Sequence, residues 1–277
     1  MTEPVRVAQV VGKMVGGGVE AVVMNYYRHI DRSKVQFDFL VDSDSTLVPR
    51  DEIESLGGRV FEIPPYQHIA EYQRELQRLF KQEGWKIVHS HINALSVFPL
   101  RAAKKAGVSV RIAHSHSTSG KGEYAKNALK AVLKTQSNRY PTHRFACSQF
   151  AGEWLFGKAA HFEVVYNAID LDRFRFNAEA RAQARADLGL VGVEAQVSGL
   201  PCLLSDAITR EVDVTGECKF LSIDSPVVWA DEICSLSKKS DEGRDSTSPG
   251  SFVHYDIDQQ ADWLLRRYLQ LINGDRN

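Results

Sequence analysis

The chain has 277 residues and a formal net charge of −1. That length suffices for one large domain or two of ordinary size, and the balanced charge gives no reason to expect nucleic acid as a partner. Its cysteines are widely spaced with no CxxC pair, which argues against a zinc knuckle or a disulfide framework. The residues MTEPVRVAQVVGK show no basic region followed by a long apolar stretch, so we expect no signal peptide, and no window reaches the roughly 18 apolar residues of a membrane span. We expect a cytoplasmic protein that touches a membrane at most from its surface.

Seven apolar runs alternate with amphipathic segments over the first two-thirds of the chain. The runs, which predict strands, are VRVAQVV, VQFDFLV, RVFEIP, KIVHSH, VRIAHSH, RFACS and FEVVYN. The segments between them repeat apolar residues every three or four positions, as helices do. This alternation predicts an α/β fold, a doubly wound parallel sheet covered by helices on both faces.

The pattern changes after Asp170. Only PCLLSD and CKFLSI predict strands in the remaining hundred or so residues, whereas a complete α/β domain needs on the order of four or more. The segment DIDQQADWLLRRYLQLI predicts a closing amphipathic helix over residues 256–273. We therefore predict a first domain over residues 1–170 and a shortened second α/β domain over residues 171–277.

A run of glycines, Gly16–Gly18, follows the first predicted strand and precedes a predicted helix. Ligands of open α/β sheets bind beyond the carboxyl ends of the strands. Bare backbone N–H groups followed by a helix N-terminus favour an anion or phosphate there. The run matches neither GxGxxG nor a Walker loop, so a plain flexible turn is the alternative.

Two histidine pairs end two of the predicted strands. His89 and His91 lie in IVHSHIN, and His114 and His116 lie in RIAHSHST. Residues two apart on a strand share a face, so each pair could present its imidazoles together at the crevice. Histidine there could act as a base, an electrostatic partner or a metal ligand. A metal would need a carboxylate or a third ligand that no motif here supplies, so we expect none.

A basic segment follows the second histidine pair. Lys126, Lys130 and Lys134 recur at intervals of four, along one side of a predicted helix. The spacing fits an ordinary solvated face, and it also fits contact with an anionic membrane surface.

In their order along the chain, these pieces resemble the family-4 retaining glycosyltransferases of the GT-B fold, especially bacterial capsular and exopolysaccharide enzymes. The matching stretches are GGVEAVVMNYYRHID, VQFDFLV, VHSHINALSVFPLRAAKKAGV, RIAHSHST, FACSQFAGEWLFG, NAIDLDRF and VEAQVSGLPCLLSD. The resemblance makes residues 1–170 the Rossmann-like acceptor-side domain and the remainder the nucleotide-sugar side.

The resemblance also implies roles for individual residues. Gly17, Gly18 and Asn167 would contact the donor, and His114 would lie beside the transferred sugar. Glu194 matches the second glutamate of the E-x7-E motif, which in the family holds the nucleotide ribose. His89, His91 and His116 would line the acceptor side of the crevice.

One departure from the family pattern lies between Leu190 and Val191. There the family has the first strands of its C-terminal domain, an Arg and Lys that neutralise the diphosphate, and the first glutamate of E-x7-E. The missing block is about a hundred residues, the size of a substantial part of a domain.

Three functions remain open. The first is sugar transfer from a nucleoside-diphosphate sugar to a polysaccharide or lipid-linked acceptor, with no metal or other cofactor. The second is a non-catalytic remnant that binds acceptor, membrane surface or a partner enzyme. The third is a metal-dependent hydrolase that uses the histidine pairs.

Overall fold

The protein is described from a computed structural model over residues 3–116, 132–171, 192–197, 199–208, 210–237, 252 and 254–274; within these ranges the side chains of residues 192–194, 234 and 237 are not described. Contacts divide the chain into two compact units. The first unit comprises Met1–Ala168 and Asp258–Asn277, and the second comprises Ile169–Ile257.

A seven-stranded parallel sheet forms the centre of the first unit, in the order β3-β2-β1-β4-β5-β6-β7. Its strands are β1 (Val5–Gly12), β2 (Val35–Asp42), β3 (Arg59–Ile63), β4 (Ile87–Ser90), β5 (Val110–Ser115), β6 (His143–Ala146) and β7 (Glu163–Val164). Every strand lies where the sequence predicts one, so the α/β fold with a doubly wound sheet is confirmed. All eight residues of β2 are buried, as expected of a strand covered on both faces.

Helices connect the strands, as parallel pairing requires. Those between strands in the described part of the first unit are α1 (Gly18–His29), α2 (Arg50–Ser55), α3 (Ile69–Glu83), α4 (Val97–Ala106) and α5 (Gln149–Phe156), and a 3₁₀ turn lies at Asn93–Ser96. The apolar face of α3, including Tyr72, Leu76 and Phe80, is buried. Ser148 caps α5 by accepting a hydrogen bond from the backbone N–H of Ala151.

The sheet reverses its strand order between β1 and β4. Val10 pairs with Ser90, and Ser90 pairs with Ala113 on β5. The loops that follow β1, β4 and β5 therefore leave the same edge of the sheet side by side. A reversal of this kind opens a crevice at the carboxyl ends of the strands, where open α/β sheets bind ligands.

The closing helix, α8 (Ile257–Asn273), belongs to the first unit from Asp258 onward. Its apolar face is buried through Leu264, Tyr268 and Leu271. Tyr268 meets the ring of Phe37 edge-on at 6.0 Å. Arg267 pairs with Glu163 of β7 at 2.8 Å. The structure thus differs from the predicted domain organisation, which assigned this helix to residues 171–277, because the helix buries its apolar stripe against the first sheet.

The second unit contains two paired parallel strands, β8 (Leu203–Ser205) and β9 (Lys219–Leu221), as the sequence predicts. Its described helices are α6 (Gly192–Val197) and α7 (Pro226–Ser237), with a 3₁₀ turn at Arg210–Val212. Gln196 is buried, and its side chain bonds to the backbone of Val212, Val214 and Thr215.

Among the residues described in both units, none of the helices combines the length and the apolar character that a membrane span needs.

Candidate active site

A cleft of about 360 Å³ lies at the strand-order reversal of the first unit. The glycine loop after β1 forms one part of its wall through Gly17 and Gly18. The loop after β4 forms another part through His91 and Asn93. Of the first histidine pair, His91 lines this cleft together with the glycine loop, whereas His89 lines a second, much smaller pocket.

The glycine loop is folded around a side chain of its own helix, Glu20. The Glu20 carboxylate accepts hydrogen bonds from the backbone N–H groups of Val15 (2.9 Å), Gly16 (2.6 Å) and Gly17 (2.9 Å). Gly16 has a φ of +87°, a left-handed conformation that glycine adopts without strain. Glu20 is 9% exposed and lies in the first turn of α1, where the helix dipole favours a negative charge.

This arrangement bears on the predicted phosphate cradle. The loop does present converging amides, as expected, but a carboxylate of the protein already accepts from three of them. The N–H groups of Gly18 and Val19 open α1 and have no intrahelical acceptor. A Cβ atom built at Gly18 would have no heavy atom within 4 Å, so this position borders open space.

Asp42, at the end of β2, contributes an acidic group to the cleft. Its side chain is buried, and burial, with the nearby charge of Asp44, raises its pKa to about 6. The Tyr72 hydroxyl beside it is buried and has no hydrogen-bond partner within the described part of the chain. Lys13 lines the same cleft and pairs with Asp44 at 2.6 Å.

All four predicted histidines form one stacked cluster. The ring centroids of His89 and His91 are 4.1 Å apart, and those of His114 and His116 are 3.9 Å apart. Across the two strands, His89 Nε2 lies 3.0 Å from His114 Nδ1, and His91 Nδ1 lies 2.9 Å from His116 Nε2. The two pairs, which the sequence offered as alternatives, make a single site because β4 and β5 are neighbours in register.

Two buried side chains hold this cluster from outside the histidine motifs. Gln9 of β1 accepts from His91 Nε2 at 2.8 Å and donates to the Tyr268 hydroxyl at 3.1 Å. The Tyr268 hydroxyl lies 2.6 Å from His89 Nδ1. Burial lowers the pKa of His89, His91 and His114 well below the usual range, so these three imidazoles are neutral near pH 7.

Polar groups near the ends of strands position the outermost histidine. The backbone N–H of His116 donates to Asn93 Oδ1 at 2.7 Å. Asn93 has a φ of +51°, a left-handed conformation in which asparagine is enriched. Burial lowers the pKa of His116 to about 4, and the neighbouring, exposed side chain of Asn167 opposes this shift. Asn167, predicted on the donor side, therefore lies beside the histidine cluster.

The cluster also meets a spacing test for a metal ion. One nitrogen each from His89, His91 and His114 lies within 4.8 Å of the others. The donor set contains imidazoles and no carboxylate. Each of these histidines already has a nitrogen in a hydrogen bond to Gln9, Tyr268 or another histidine. Elemental analysis of the purified protein tests our expectation that no stoichiometric metal is bound.

The other predicted site residues are those of the basic segment and Glu194. Lys126 and Lys130 are outside the described residues. Lys134 follows Leu133 in a short helical stretch, and its ammonium group lies 4.9 Å from the ring centre of Trp154. Glu194 lies in α6 of the second unit, and its side chain is outside the described part of the chain.

Sequence reasoning missed several residues of the site: Gln9, Glu20, Asp42, Tyr72, Asn93 and Tyr268. Glu20 had a local signal, because a glutamate at the third position of a helix commonly reaches back to the amides before it. Gln9 and Asp42 are polar residues inside apolar strands, which is also a readable signal. Tyr268 had none, since 259 residues separate it from Gln9.

The parallel sheet and its flanking helices have the GT-B type of fold, as the similarity to solved structures shows. The solved structure of HepE from Anabaena in complex with UDP aligns with a TM-score of 0.70 and 12% identity, covering 95% of this chain and 99% of that one. The lipopolysaccharide outer core galactosyltransferase WaaB, in its apo form, aligns with a TM-score of 0.62 and 13% identity over 96% and 99% of the two chains.

The family itself follows from sequence similarity. The family model for Glycosyltransferase Family 4 matches residues 16–173. The chain is 37% identical over 377 residues to EpsF of Bacillus subtilis (strain 168), which is named as a glycosyltransferase, and the match covers 98% of each protein. The chain belongs to glycosyltransferase family 4.

The alignment with EpsF is longer than this chain. It extends over 377 residues, whereas the chain has 277, so about a hundred positions of the relative have no counterpart here. That difference matches the size of the block that family members have, and this chain lacks, between Leu190 and Val191.

Proposed function

We propose that the protein transfers a sugar from a nucleoside-diphosphate sugar to a polysaccharide or lipid-linked acceptor in exopolysaccharide or capsule synthesis. Its membership of glycosyltransferase family 4 and its similarity to EpsF support the proposal. The observation that carries it is the cleft at the strand-order reversal, where the glycine loop and His91 face one another. The expected location is the cytoplasm, at the inner face of the plasma membrane.

The proposed reaction retains the configuration of the sugar. The bond from the anomeric carbon to the diphosphate oxygen breaks, and the acceptor oxygen bonds to that carbon on the same face. The acceptor proton passes to the leaving diphosphate oxygen. Gly17, Gly18 and Asn167 are proposed to contact the donor, Glu194 the ribose, and His114 the transferred sugar. Fixed dipoles that stabilise the leaving charge commonly lower such barriers by several kcal/mol.

Turnover by this chain should be low, because the missing block corresponds to the part of the family that supplies the Arg, the Lys and the first glutamate. The test measures transfer from radiolabelled UDP-sugars by the chain as it stands and by a chain with the EpsF block inserted between Leu190 and Val191. We expect turnover only in the lengthened chain. Robust turnover by the 277-residue chain would overturn this part of the proposal.

The role of His114 is tested in the lengthened chain. His114→Ala should lower turnover by about 10²- to 10⁴-fold, as is common when a group that assists the transition state is removed. His161→Ala is the matched control, because His161 is exposed and lies outside the cluster. Circular dichroism of both variants separates lost chemistry from lost folding. Equal turnover by the two variants would remove His114 from the proposed mechanism.

The alternative function is a non-catalytic protein that binds acceptor, membrane surface or a partner enzyme. One observation favours it: the Glu20 carboxylate already accepts from three loop amides. If the loop binds diphosphate, Glu20→Ala frees these amides, removes a competing charge and tightens UDP binding in calorimetry. If Glu20 is a permanent cap, the same variant leaves UDP binding unchanged and costs about 1 kcal/mol of stability.

Peripheral membrane contact is proposed for the face formed by Lys126, Lys130 and Lys134. Basic residues near an anionic surface contribute about 1 kcal/mol each, and salt weakens the attraction. Co-sedimentation with anionic and neutral vesicles should separate the wild-type chain from a variant with all three lysines changed to glutamate. Equal sedimentation of the two proteins at low salt would make this segment an ordinary solvated face.

A further inference from the structure

The histidine cluster contains a hydrogen-bond chain whose direction can be read atom by atom. It begins at the Gln9 side chain, which accepts from His91 Nε2 through its oxygen and donates to the Tyr268 hydroxyl through its nitrogen. A hydroxyl carries a single proton. Because the Tyr268 oxygen accepts a hydrogen bond from Gln9, the hydroxyl's own proton is free to be donated to His89 Nδ1, which lies 2.6 Å away.

The remaining steps follow from the neutrality of the imidazoles. A neutral imidazole has one N–H and one bare nitrogen. Since His89 Nδ1 accepts from Tyr268, its proton is on Nε2, which donates to His114 Nδ1 at 3.0 Å. His114 then carries its own proton on Nε2. This atom is buried and has no hydrogen-bond partner among the residues that the structure describes.

We propose that Gln9, Tyr268 and His89 are positioning residues that fix His114 in the Nε2–H tautomer, so that His114 offers a hydrogen-bond donor to an oxygen of the sugar substrate and not a base. The assignment of the sugar as partner rests on the proposed function. The tautomer itself does not, because the chain that fixes it consists entirely of protein groups. The burial that lowers the pKa of His89 and His114 keeps both imidazoles neutral and the chain intact.

A second branch of the hydrogen-bond chain, through His91 and His116, serves as an internal reference because its tautomers should not change when the first branch is altered. His91 donates to the Gln9 oxygen from Nε2, so its Nδ1 accepts from His116 Nε2 at 2.9 Å. This branch depends only on the oxygen of Gln9. The branch through Tyr268 depends on its N–H₂ group.

Replacing Gln9 by glutamate separates the two branches. In Gln9→Glu, at a pH at which the introduced carboxyl is ionised, that group can only accept, so Tyr268 must donate to it and accept from His89 Nδ1. His89 Nε2 then accepts from His114 Nδ1–H, and His114 Nε2 becomes bare. The tautomers of His91 and His116 stay as they were. Tyr268→Phe removes the O–H and should release His89 and His114 to a mixture of tautomers.

The measurement is long-range ¹H–¹⁵N correlation NMR on ¹⁵N-histidine-labelled full-length protein without any sugar, with assignments from single His→Asn variants. We expect His114 to show a protonated Nε2 and a bare Nδ1 in the wild type, and the reverse in Gln9→Glu. Gln36→Glu is the matched control, since Gln36 forms another buried pair with a tyrosine, Tyr27, at 2.6 Å.

A protonated Nδ1 at His114 in the wild type would overturn the proposal. An unchanged His114 tautomer in a folded Gln9→Glu protein would also overturn it at a pH where the ¹³C resonance of the introduced carboxyl shows it to be ionised. Should that variant fail to fold, the wild-type spectrum and Tyr268→Phe still decide the matter. Because no sugar is present, this outcome is independent of the transfer assays. A correct tautomer with no turnover in the lengthened chain would count against the proposed function alone.

Discussion

The two units of the molecule treat their apolar residues differently. In the first unit the strands are covered by helices, and residues such as Val7, Phe39 and Ile63 are wholly buried. In the described part of the second unit only three apolar side chains are buried, those of Val197, Phe252 and Ile257. The large aliphatic side chains that are exposed there are Ile208, Ile223, Val227, Val228 and Ile233.

This difference in burial follows from how much sheet each unit offers for its helices to pack against. Seven parallel strands bury the apolar faces of the helices around them in the first unit. The two short strands in the described part of the second unit offer little surface for a helix to pack against. Val227, Val228 and Ile233 of α7 remain 69%, 46% and 54% exposed. About a hundred positions of EpsF have no counterpart here, and a block of that size is a substantial part of a domain.

Of the changes considered, acid should have the largest effect on the free energy of unfolding of the first unit, because the four buried histidines all lie there. Their pKa values are lowered, that of His116 to about 4, so below pH 6.5 the unfolded chain binds more protons than the folded one. Stability therefore falls as the pH falls. His116, whose pKa is lowered to about 4, should remove about 2 kcal/mol of the free energy of unfolding by pH 5, and the other three histidines act in the same direction.

Urea denaturation between pH 5 and pH 8 measures this loss. Following the tryptophans of a Trp229→Phe variant confines the signal to the first unit, which holds Trp85, Trp154 and Trp263. His116→Asn should reduce the loss at pH 5 by about 2 kcal/mol. His161→Asn, at an exposed position, should not reduce it. A free energy of unfolding that stays flat from pH 8 to pH 5 would contradict the buried, neutral cluster.

A matched pair of isoleucines tests the comparison next. Ile53 on α2 is wholly buried in the first unit, and Ile233 on α7 is about half exposed in the second. Ile53→Ala should cost about 3 kcal/mol of unfolding free energy, because it removes buried methyl groups and leaves a cavity. Ile233→Ala should change stability by less than about 0.5 kcal/mol, as surface substitutions do. Similar losses in urea titrations of the two variants would mean that α7 is covered in solution.

The positions of the strands could be predicted from the sequence because buried parallel strands are continuous apolar runs. The start of β7 at Glu163 and the short β6 show the usual uncertainty at strand ends. Placing the closing helix was beyond sequence reasoning. Its amphipathic pattern predicts a helix with one buried face, but nothing in the pattern says which unit covers that face.

The residues of the candidate site also fall into two groups, those that the sequence could predict and those that it could not. The histidine pairs and the glycine run carry local signals, since strand ends and glycines mark where an α/β sheet binds ligands. That both pairs would join into one cluster depends on β4 and β5 being neighbours, which is a property of the sheet order. The control of the cluster by Gln9 and Tyr268 depends on contacts between residues 259 positions apart.

The first unit also buries an ionisable group at the cleft, Asp42, whose charged form is unfavourable there. Burial raises the pKa of Asp42 to about 6, so the folded state holds this proton more tightly than the unfolded chain, and stability is lost as the pH rises from about 4 to 6. Asp42→Asn removes the buried charge and should raise the free energy of unfolding at pH 8 by about 2 kcal/mol.

Asp44→Asn, which removes the neighbouring charge that helps to raise this pKa, should stabilise in the same direction by less. The ¹³C resonance of the Asp42 carboxyl should titrate near pH 6 in the wild type, within the range where the protein remains folded. A carboxyl that stays ionised down to pH 5, or an Asp42→Asn variant that is less stable than the wild type at pH 8, would show that this group is solvated. The cleft would then be an ordinary surface, and the contrast with the second unit would rest on the sheet alone.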